Sequence, residues 1–251
     1  MIVVKNLNKS YGSNQVLNNL NLEVKDGQTV VILGRSGVGK SVLLRQIIGI
    51  ETPDSGVIEI NNQNLLTLPR REKHTITKQM GMLFQGSALF DSMTVGDNVA
   101  FYLRQHEKNL SEEDIRHRVQ EALEMVGLSG TEEKMPSDLS GGMRKRAALA
   151  RVIAYRPKII LYDEPTTGLD PITSMQINNL IIATKKQLQA TSIVVTHDLK
   201  SAWTVGDYLT LHYNKALAHF APKEEFFKNK DPQIQGFFEN AAFSESMFLS
   251  H

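Results

Sequence analysis

The 251-residue chain has no cysteine, which excludes disulfides and thiolate metal sites and fits a reducing compartment. It has almost no net charge, with 28 Lys and Arg against 27 Asp and Glu. A broad nucleic-acid-binding surface therefore has no support from charge, and no nucleic-acid partner is expected. No apolar run approaches the roughly 18–20 residues needed to span a bilayer. The first residues, MIVVKNLNKSYG, contain no apolar signal-peptide core and read as a strand. Work at a membrane would need another subunit to bring the chain there.

What the chain does have is the stretch GRSGVGKS at 34–41, which fits the phosphate-loop pattern G-x-x-x-x-G-K-[ST]. TVVIL at 29–33 precedes it, apolar and β-branched as in a buried strand, and a helical run from Val42 follows, stopping at Gly49. Strand, glycine loop and helix are the context the chemistry needs. Gly34, Gly37 and Gly39 let the backbone bend and bring its N–H groups close to an anion, past Arg35, Ser36 and Val38. The helix that starts there points its free N–H groups and positive dipole end at the phosphates. Lys40 supplies a point charge for the β- and γ-phosphates, and the Ser41 hydroxyl suits Mg²⁺. A nucleoside triphosphate and Mg²⁺ are the expected ligands.

Before that loop, 2–7 and 16–24 read as strands of a small antiparallel sheet around the turn Tyr11-Gly12-Ser13-Asn14. An aromatic ring on such a turn, Tyr11, can stack on adenine or simply end a strand half buried. GVIEI at 56–60 and GMLFQ at 81–85 read as short strands, the second closed by Gln85, a residue type able to ligate Mg²⁺ and position water. The basic stretch 68–80 reads as a solvated face.

A helical block occupies 94–127. Ser111 is its N-cap, Asp114 sits in the capping-box position, and Ile115, Val119, Ala122, Leu123 and Val126 recur at helical spacing up to Gly127. LSGGM at 139–143 then opens a second helix N-terminus, with Ser140 as N-cap and Gly141 and Gly142 leaving N–H groups open to an anion. One chain needs one triphosphate cradle, so the second site would serve another chain's nucleotide.

IILYDE at 159–164 reads as a buried parallel strand with two carboxylates at its carboxyl end, where open α/β sheets bind ligands. Asp163 suits Mg²⁺, and Glu164 suits general-base or water-orienting work. SIVVT at 192–196 is another buried strand, and His197 at its end can hydrogen-bond a γ-phosphate or be structural. The other histidines, His212 among them, show no metal-ligand spacing. Seven of the ten phenylalanines lie at 220 or beyond, which reads either as short helices packed back on the chain or as a docking tail for another subunit.

The set GRSGVGKS, Gln85, LSGG, IILYDE, PTTGLD and THD, in that order, resembles the nucleotide-binding domain of ATP-binding cassette (ABC) proteins over roughly residues 1–220. The resemblance implies an α/β P-loop NTPase with a RecA-like core, an antiparallel β subdomain and an inserted α-helical subdomain at 86–157, followed by a tail at 221–251. It implies ATP hydrolysis, with Lys40, Glu164 and His197 as catalytic residues and Ser41, Gln85 and Asp163 as metal ligands. Tyr11 matches the adenine-stacking aromatic, Gln85 the Q-loop glutamine and Asp170 a dimer contact. Ser140, Gly141 and Gly142 match the signature that closes a second copy's site. Met143 stands where the family more often has glutamine.

Within the superfamily, 82–104, 135–154 and 161–173 resemble the ATPases of Mla/Mkl-type lipid transport systems, in which methionine at this signature position is usual. KDPQIQGFF at 230–238 resembles their tail. The implied partners are a second copy in a head-to-tail ATP sandwich, an MlaE-like integral-membrane permease, an MCE-domain protein and a STAS-like small subunit. The implied location is the cytoplasmic face of the inner membrane, as a peripheral protein. Rival readings are an ABC ATPase of another transporter, a soluble ABC ATPase such as an iron–sulfur assembly factor, and a small-molecule kinase. The last leaves LSGG and the helical insertion without a role.

Overall fold

The computed structural model describes residues 1–240. Phe243 and Phe248 lie outside the described residues. In chain order the first elements are β1 (Ile2–Tyr11), β2 (Asn14–Val24), β3 (Thr29–Leu33), α1 (Lys40–Ile47), β4 (Ser55–Ile60), β5 (Gln63–Asn64) and α2 (Arg70–Thr77). Then come β6 (Met80–Leu83), α3 (Val95–His106), α4 (Glu112–Met125), α5 (Gly141–Ile153), β7 (Ile159–Asp163) and α6 (Pro171–Leu188). The chain continues with β8 (Thr191–Thr196), α7 (Leu199–Val205), β9 (Tyr208–Tyr213), β10 (Ala216–Pro222), α8 (Lys223–Lys228) and α9 (Pro232–Asn240). Two compact units result, one of Met1–Thr77 with residues 191–240, the other of Lys78–Ala190.

The first unit holds an antiparallel sheet of order β2-β1-β4-β5 and the strand set β10-β9-β3-β8. Strands β3 and β8 are buried at every position and pair in parallel, as do β3 and β9. Their apolar, β-branched cores, residues 30–33 and 193–195, are what a strand covered on both faces requires.

The antiparallel hairpin extends further than the sequence suggested, through Tyr11 and back from Asn14. The inward residues of β2 are Leu17, Leu20, Leu22 and Val24, with one extra position between the first two. Asn19 takes up that position at φ 48, and Asn6 does the same at φ 49 where β1 steps from Val4 to Leu7. Asparagine tolerates this left-handed backbone, so each strand bulges at its asparagine and its apolar residues return to one face; a further register shift lies between Lys9 and Ser10, near the turn. The two bulges are tied to their neighbours: Asn6 N–H donates to Asn21 Oδ1 and Asn19 N–H to Asn8 Oδ1, both at 2.9 Å.

The second unit pairs β6 and β7 in parallel and carries α3 to α6. Helix α4 starts as its sequence says. Ser111 Oγ accepts from Asp114 N–H, and the Asp114 carboxylate accepts from Ser111 N–H. Ile115, Val119, Ala122, Leu123 and Val126 are all buried, and Gly127 ends the helix at φ 66. The basic stretch forms α2, with no buried residue, as a solvated face should be. β9 and β10 have no counterpart in the sequence reading.

Of the phenylalanines in the described tail, Phe226, Phe227 and Phe238 are buried. Phe227 meets the Trp203 ring edge-on at 5.1 Å and stacks on Phe238 at 5.4 Å. These three pack inward, which is the simpler of the two readings for them, while Phe220 is half exposed and stacks on Tyr208.

Candidate nucleotide site and its relatives

The first unit supplies the phosphate loop. β3 delivers the chain to Gly34, where a Cβ would sit 3.2 Å from the His212 carbonyl oxygen. Gly37 and Gly39 adopt φ of 82 and 110, conformations that favour glycine, and a Cβ at Gly39 would lie 2.5 Å from Val16 Cγ1. Helix α1 begins at Lys40 with no side-chain cap and no acidic residue in its first turn. Its leading N–H groups and dipole are thus left for an external anion. Lys40 is buried, and its ammonium reaches across the loop to the carbonyls of Gly34 at 2.6 Å and Arg35 at 2.9 Å. Arg35, Ser36 and Gly37 are exposed, Val38 and Ser41 half-buried.

His212, set aside by the sequence reading, lies on β9 beneath this loop. It is 2% exposed, and neither ring nitrogen has a hydrogen-bond partner. Burial, helped by the Lys40 charge, pushes the imidazole down to about 4. In YLTLHY this histidine falls in step with Thr210 and opposite Leu209 and Leu211, so the strand's alternation gave no sign that it is buried.

Tyr11 stands at the end of β1, 46% exposed, with Lys9 Nζ 5.4 Å from its ring centroid. Its hydroxyl donates to Glu51, which also accepts from Arg45 Nε at 3.2 Å. Burial alone would raise the Glu51 carboxyl, but these two hydrogen bonds hold it below its usual value. Glu51 and Arg45 were not legible as parts of this cluster. His197 is exposed at the carboxyl end of β8, and Asp198 caps α7 by accepting from Lys200 N–H.

The second unit holds two adjacent carboxylates. Asp163 ends β7 and Glu164 follows it, each 6% exposed. Glu164 has φ 47, a left-handed backbone uncommon for a non-glycine residue and typical of functional positions. Thr167 Oγ1 donates to Glu164 Oε2 at 3.1 Å, fixing the carboxylate's aim. Gln85 is exposed just past β6.

Helix α5 opens as expected. Ser140 is exposed, and its Oγ accepts from Met143 N–H at 3.3 Å. A Cβ at Gly141 would meet nothing within 4 Å, whereas one at Gly142 would lie 2.5 Å from Thr173 Cγ2. Thr173 belongs to the first turn of α6, where Asp170 is the N-cap. The Asp170 carboxylate accepts from the N–H groups of Ile172 and Thr173 at 3.0 Å and from Thr173 Oγ1 at 2.5 Å. These hydrogen bonds, the Thr173 hydroxyl's first, hold Asp170 below the usual carboxylate range. Asp170 and the signature glycines thus meet through one threonine.

A glycine-lined loop, a helix start without a cap and a buried lysine define a triphosphate site, and the residues present fit ATP. Ser41, Gln85 and Asp163 are all oxygen donors, as a hard cation such as Mg²⁺ takes. Among the described residues no cluster of three His, Cys, Asp or Glu forms a metal site by itself.

The family model for ABC transporters matches residues 17–167, and the chain belongs to that family. It is an ABC cassette that binds and hydrolyses ATP. The solved structures agree. One is the dimeric ATP-binding cassette MJ0796 in a post-hydrolysis state bound to ADP and Pi. It matches with a TM-score of 0.81 and 33% identity, over 89% of this chain and 99% of that one. The cbiO1 subunit of the cbiONQ complex of Clostridium perfringens matches at 0.82 and 30%, over 95% of this chain and 98% of that one.

Among curated proteins, the intermembrane phospholipid transport system ATP-binding protein MlaF of Haemophilus influenzae is 42% identical over 237 residues. That covers 94% of this chain and 89% of MlaF. The mkl protein of Mycobacterium leprae, named for ribonucleotide transport, is 42% identical over 236 residues, 94% of this chain and 68% of mkl. The chain therefore spans about two thirds of the mycobacterial relative's length.

Proposed function

We propose that this cassette drives a transporter of phospholipids or related lipids, at the cytoplasmic face of the inner membrane. The observation that carries this reading is the 42% identity to an intermembrane phospholipid transport ATPase over nearly the full length of both chains. Two copies face head to tail, and Ser140, Gly141 and Gly142 of one cover the phosphate loop of the other. The geometry that supports this is the exposed, glycine-lined start of α5, an anion site without an anion-binding lysine in its first turn. The partners are an integral-membrane permease and an MCE-domain protein, with a STAS-like subunit as regulator. Among the described residues no helix is long and apolar enough to cross a membrane, so a permease must supply the path.

In the site, Tyr11 stacks on adenine while the N–H groups of 34–41 and Lys40 hold the phosphates. Ser41, Gln85 and Asp163 hold Mg²⁺, which supplies charge neutralisation at the phosphates when bound. Glu164, aimed by Thr167, orients the attacking water and takes its proton, and His197 contacts the γ-phosphate. Closing the dimer excludes water, so donors aimed at the γ-phosphate act at low dielectric where negative charge develops. Asp170 lies at the dimer contact, coupled to the signature through Thr173. Residues 1–220 form the cassette, with 86–157 as its helical subdomain and 221–251 as an extension.

Affinity purification from detergent-solubilised membranes, read by mass spectrometry of proteins and lipids, tests the transport reading. Recovery of a permease and an MCE-domain protein with phospholipid is expected. A nucleotide-transport permease without lipid would favour the reading suggested by the mycobacterial relative's name. Recovery with soluble partners alone would leave the ATPase and remove the transporter. Separately, Glu164→Gln is expected to lower turnover by roughly 10²–10³-fold while ATP gathers the chain into a stable dimer on size-exclusion chromatography. Normal turnover in that variant would take Glu164 out of catalysis.

A further inference from the structure

Two of the cations on helix α5 hold main-chain carbonyls of residues 84–88. Lys145 is 4% exposed, and its ammonium donates to the carbonyl of Phe84 at 3.3 Å and to that of Gln85. Six residues on, Arg151 donates to the carbonyls of Ala88 at 2.7 Å and Ser87 at 3.2 Å. Its guanidinium also lies 5.7 Å from the centre of the Phe90 ring.

The segment so held is not relaxed backbone. Ser87 and Ala88 have left-handed φ of 63 and 52, which non-glycine residues adopt only when their surroundings impose it. Asn98 of α3 adds a further tie, accepting from Phe90 N–H at 2.7 Å and donating to Phe90 O at 3.0 Å. Burying a lysine is costly and pushes its ammonium toward neutrality, opposed here by the charges of Asp163 and Glu164. An apolar residue would fill this place on the helix's buried face at lower cost, so the carbonyl contacts are what the lysine adds.

The placement has a consequence for two nucleotides at once. The first turn of α5 holds Ser140, Gly141 and Gly142, which in the head-to-tail dimer meet the partner's ATP. Lys145, about a turn further on, holds the main chain of Gln85, which serves the chain's own ATP. We propose that Lys145 is a positioning residue that couples the two ATP sites of the dimer, by making α5 and residues 84–88 move as one body. The coupling rests on the head-to-tail reading given above. A nucleotide seated on α5 at one site then fixes the position of Gln85 at the other, and the two sites fire cooperatively.

The test measures ATPase rate against ATP concentration for the full chain and for Lys145→Met, Lys145→Gln and Lys145→Arg. The unaltered protein is expected to give a Hill coefficient well above 1, bounded by its two sites. Lys145→Met and Lys145→Gln are expected to bring it to about 1. Their maximal rate should fall roughly 10-fold and half-saturation should move less than about 3-fold, on the scale of typical coupling energies. Lys145→Arg, which keeps the charge and the donors, is expected to restore cooperativity; a merely space-filling role would favour Met over Arg.

Cooperativity that survives Lys145→Met overturns the proposal, as does a coefficient of 1 in the unaltered protein. If neither neutral variant folds, hydrogen exchange on the Glu164→Gln protein decides. ATP should slow amide exchange at 85–88 only while Ser140 is intact, and protection that persists in Ser140→Arg overturns the coupling. Failure of Glu164→Gln to dimerise with ATP would instead strike the head-to-tail reading itself.

Discussion

The starts of α1 and α5 are two solutions to the same electrostatic task. Both lead with glycine and leave N–H groups open, yet α1 has no cap and has a buried lysine at its first position, whereas α5 is capped by Ser140. An uncapped helix start is costly unless an anion completes it, and Lys40 brings the charge that holds one. The capped start is content without a ligand. On the head-to-tail reading proposed above, one site recruits the nucleotide and the other recognises that it has been recruited.

The largest effect that sharpens this contrast is expected at Lys40. Lys40→Ala should cut kcat/KM for ATP by at least roughly 10²–10³-fold and abolish nucleotide binding by calorimetry. Ser140→Ala should leave ATP affinity of the isolated chain within about 3-fold, because its cap serves a helix that does not hold that chain's own nucleotide. Comparable loss of affinity in both would erase the distinction.

The strand beneath the phosphate loop makes a second prediction. His212 is neutral in the folded chain and titrates near 4, against about 6.5 when unfolded. The unfolded state therefore binds the extra proton between those values. The histidine's neutral form contributes its full stability above about pH 6.5, and that contribution is lost as pH falls toward 4. A shift of this size corresponds to about 3 kcal/mol. His212→Leu should flatten denaturant-derived stability across that window, and an unchanged slope would mean His212 is not the titrating group.

At α5 the limiting feature is space. Gly142→Ala drives a methyl group into Thr173 Cγ2, a β-branched side chain with little freedom to turn away, at a cost of about 1–3 kcal/mol. Thr173→Ser removes that methyl and keeps the hydroxyl bonded to Asp170, so the double variant should recover most of the stability. Thermal melting of the three proteins checks it. As a baseline for an ordinary cap that binds no ligand, Ser111→Ala in α4 should cost about 1 kcal/mol by the same measurement.

Much of this was legible in the sequence because short patterns carry it. The phosphate loop, the Ser111–Asp114 box and the strand ending in Asp163 and Glu164 each state their local structure within a few residues. The hairpin was read too short, ending at Leu7 and resuming at Val16, because the polar residues on either side of the turn carry no apolar alternation; the structure continues both strands to Tyr11 and Asn14. Lys145 and His212 escaped notice for a different reason. Each is a polar residue at a buried position of its element, and only tertiary neighbours reveal what it touches. Lys145 did leave a trace, since it falls in register with Leu149 and Val152 on the apolar face of α5. Strands β9 and β10 were missed because a pair made by late, short runs has no motif of its own.

Helix α2 buries none of its residues, and its side chains Arg70, Arg71 and Lys73 stand at the start of an eight-residue helix. A helix this short gains little from its own hydrogen bonds, and without an apolar face it gains little from the core. It can therefore unwind without disturbing the sheets on either side of it in sequence. In a folded cassette that places three cleavable peptide bonds within reach of a trypsin-like protease, at a point where the chain can be nicked, or lengthened, while the nucleotide loop stays intact.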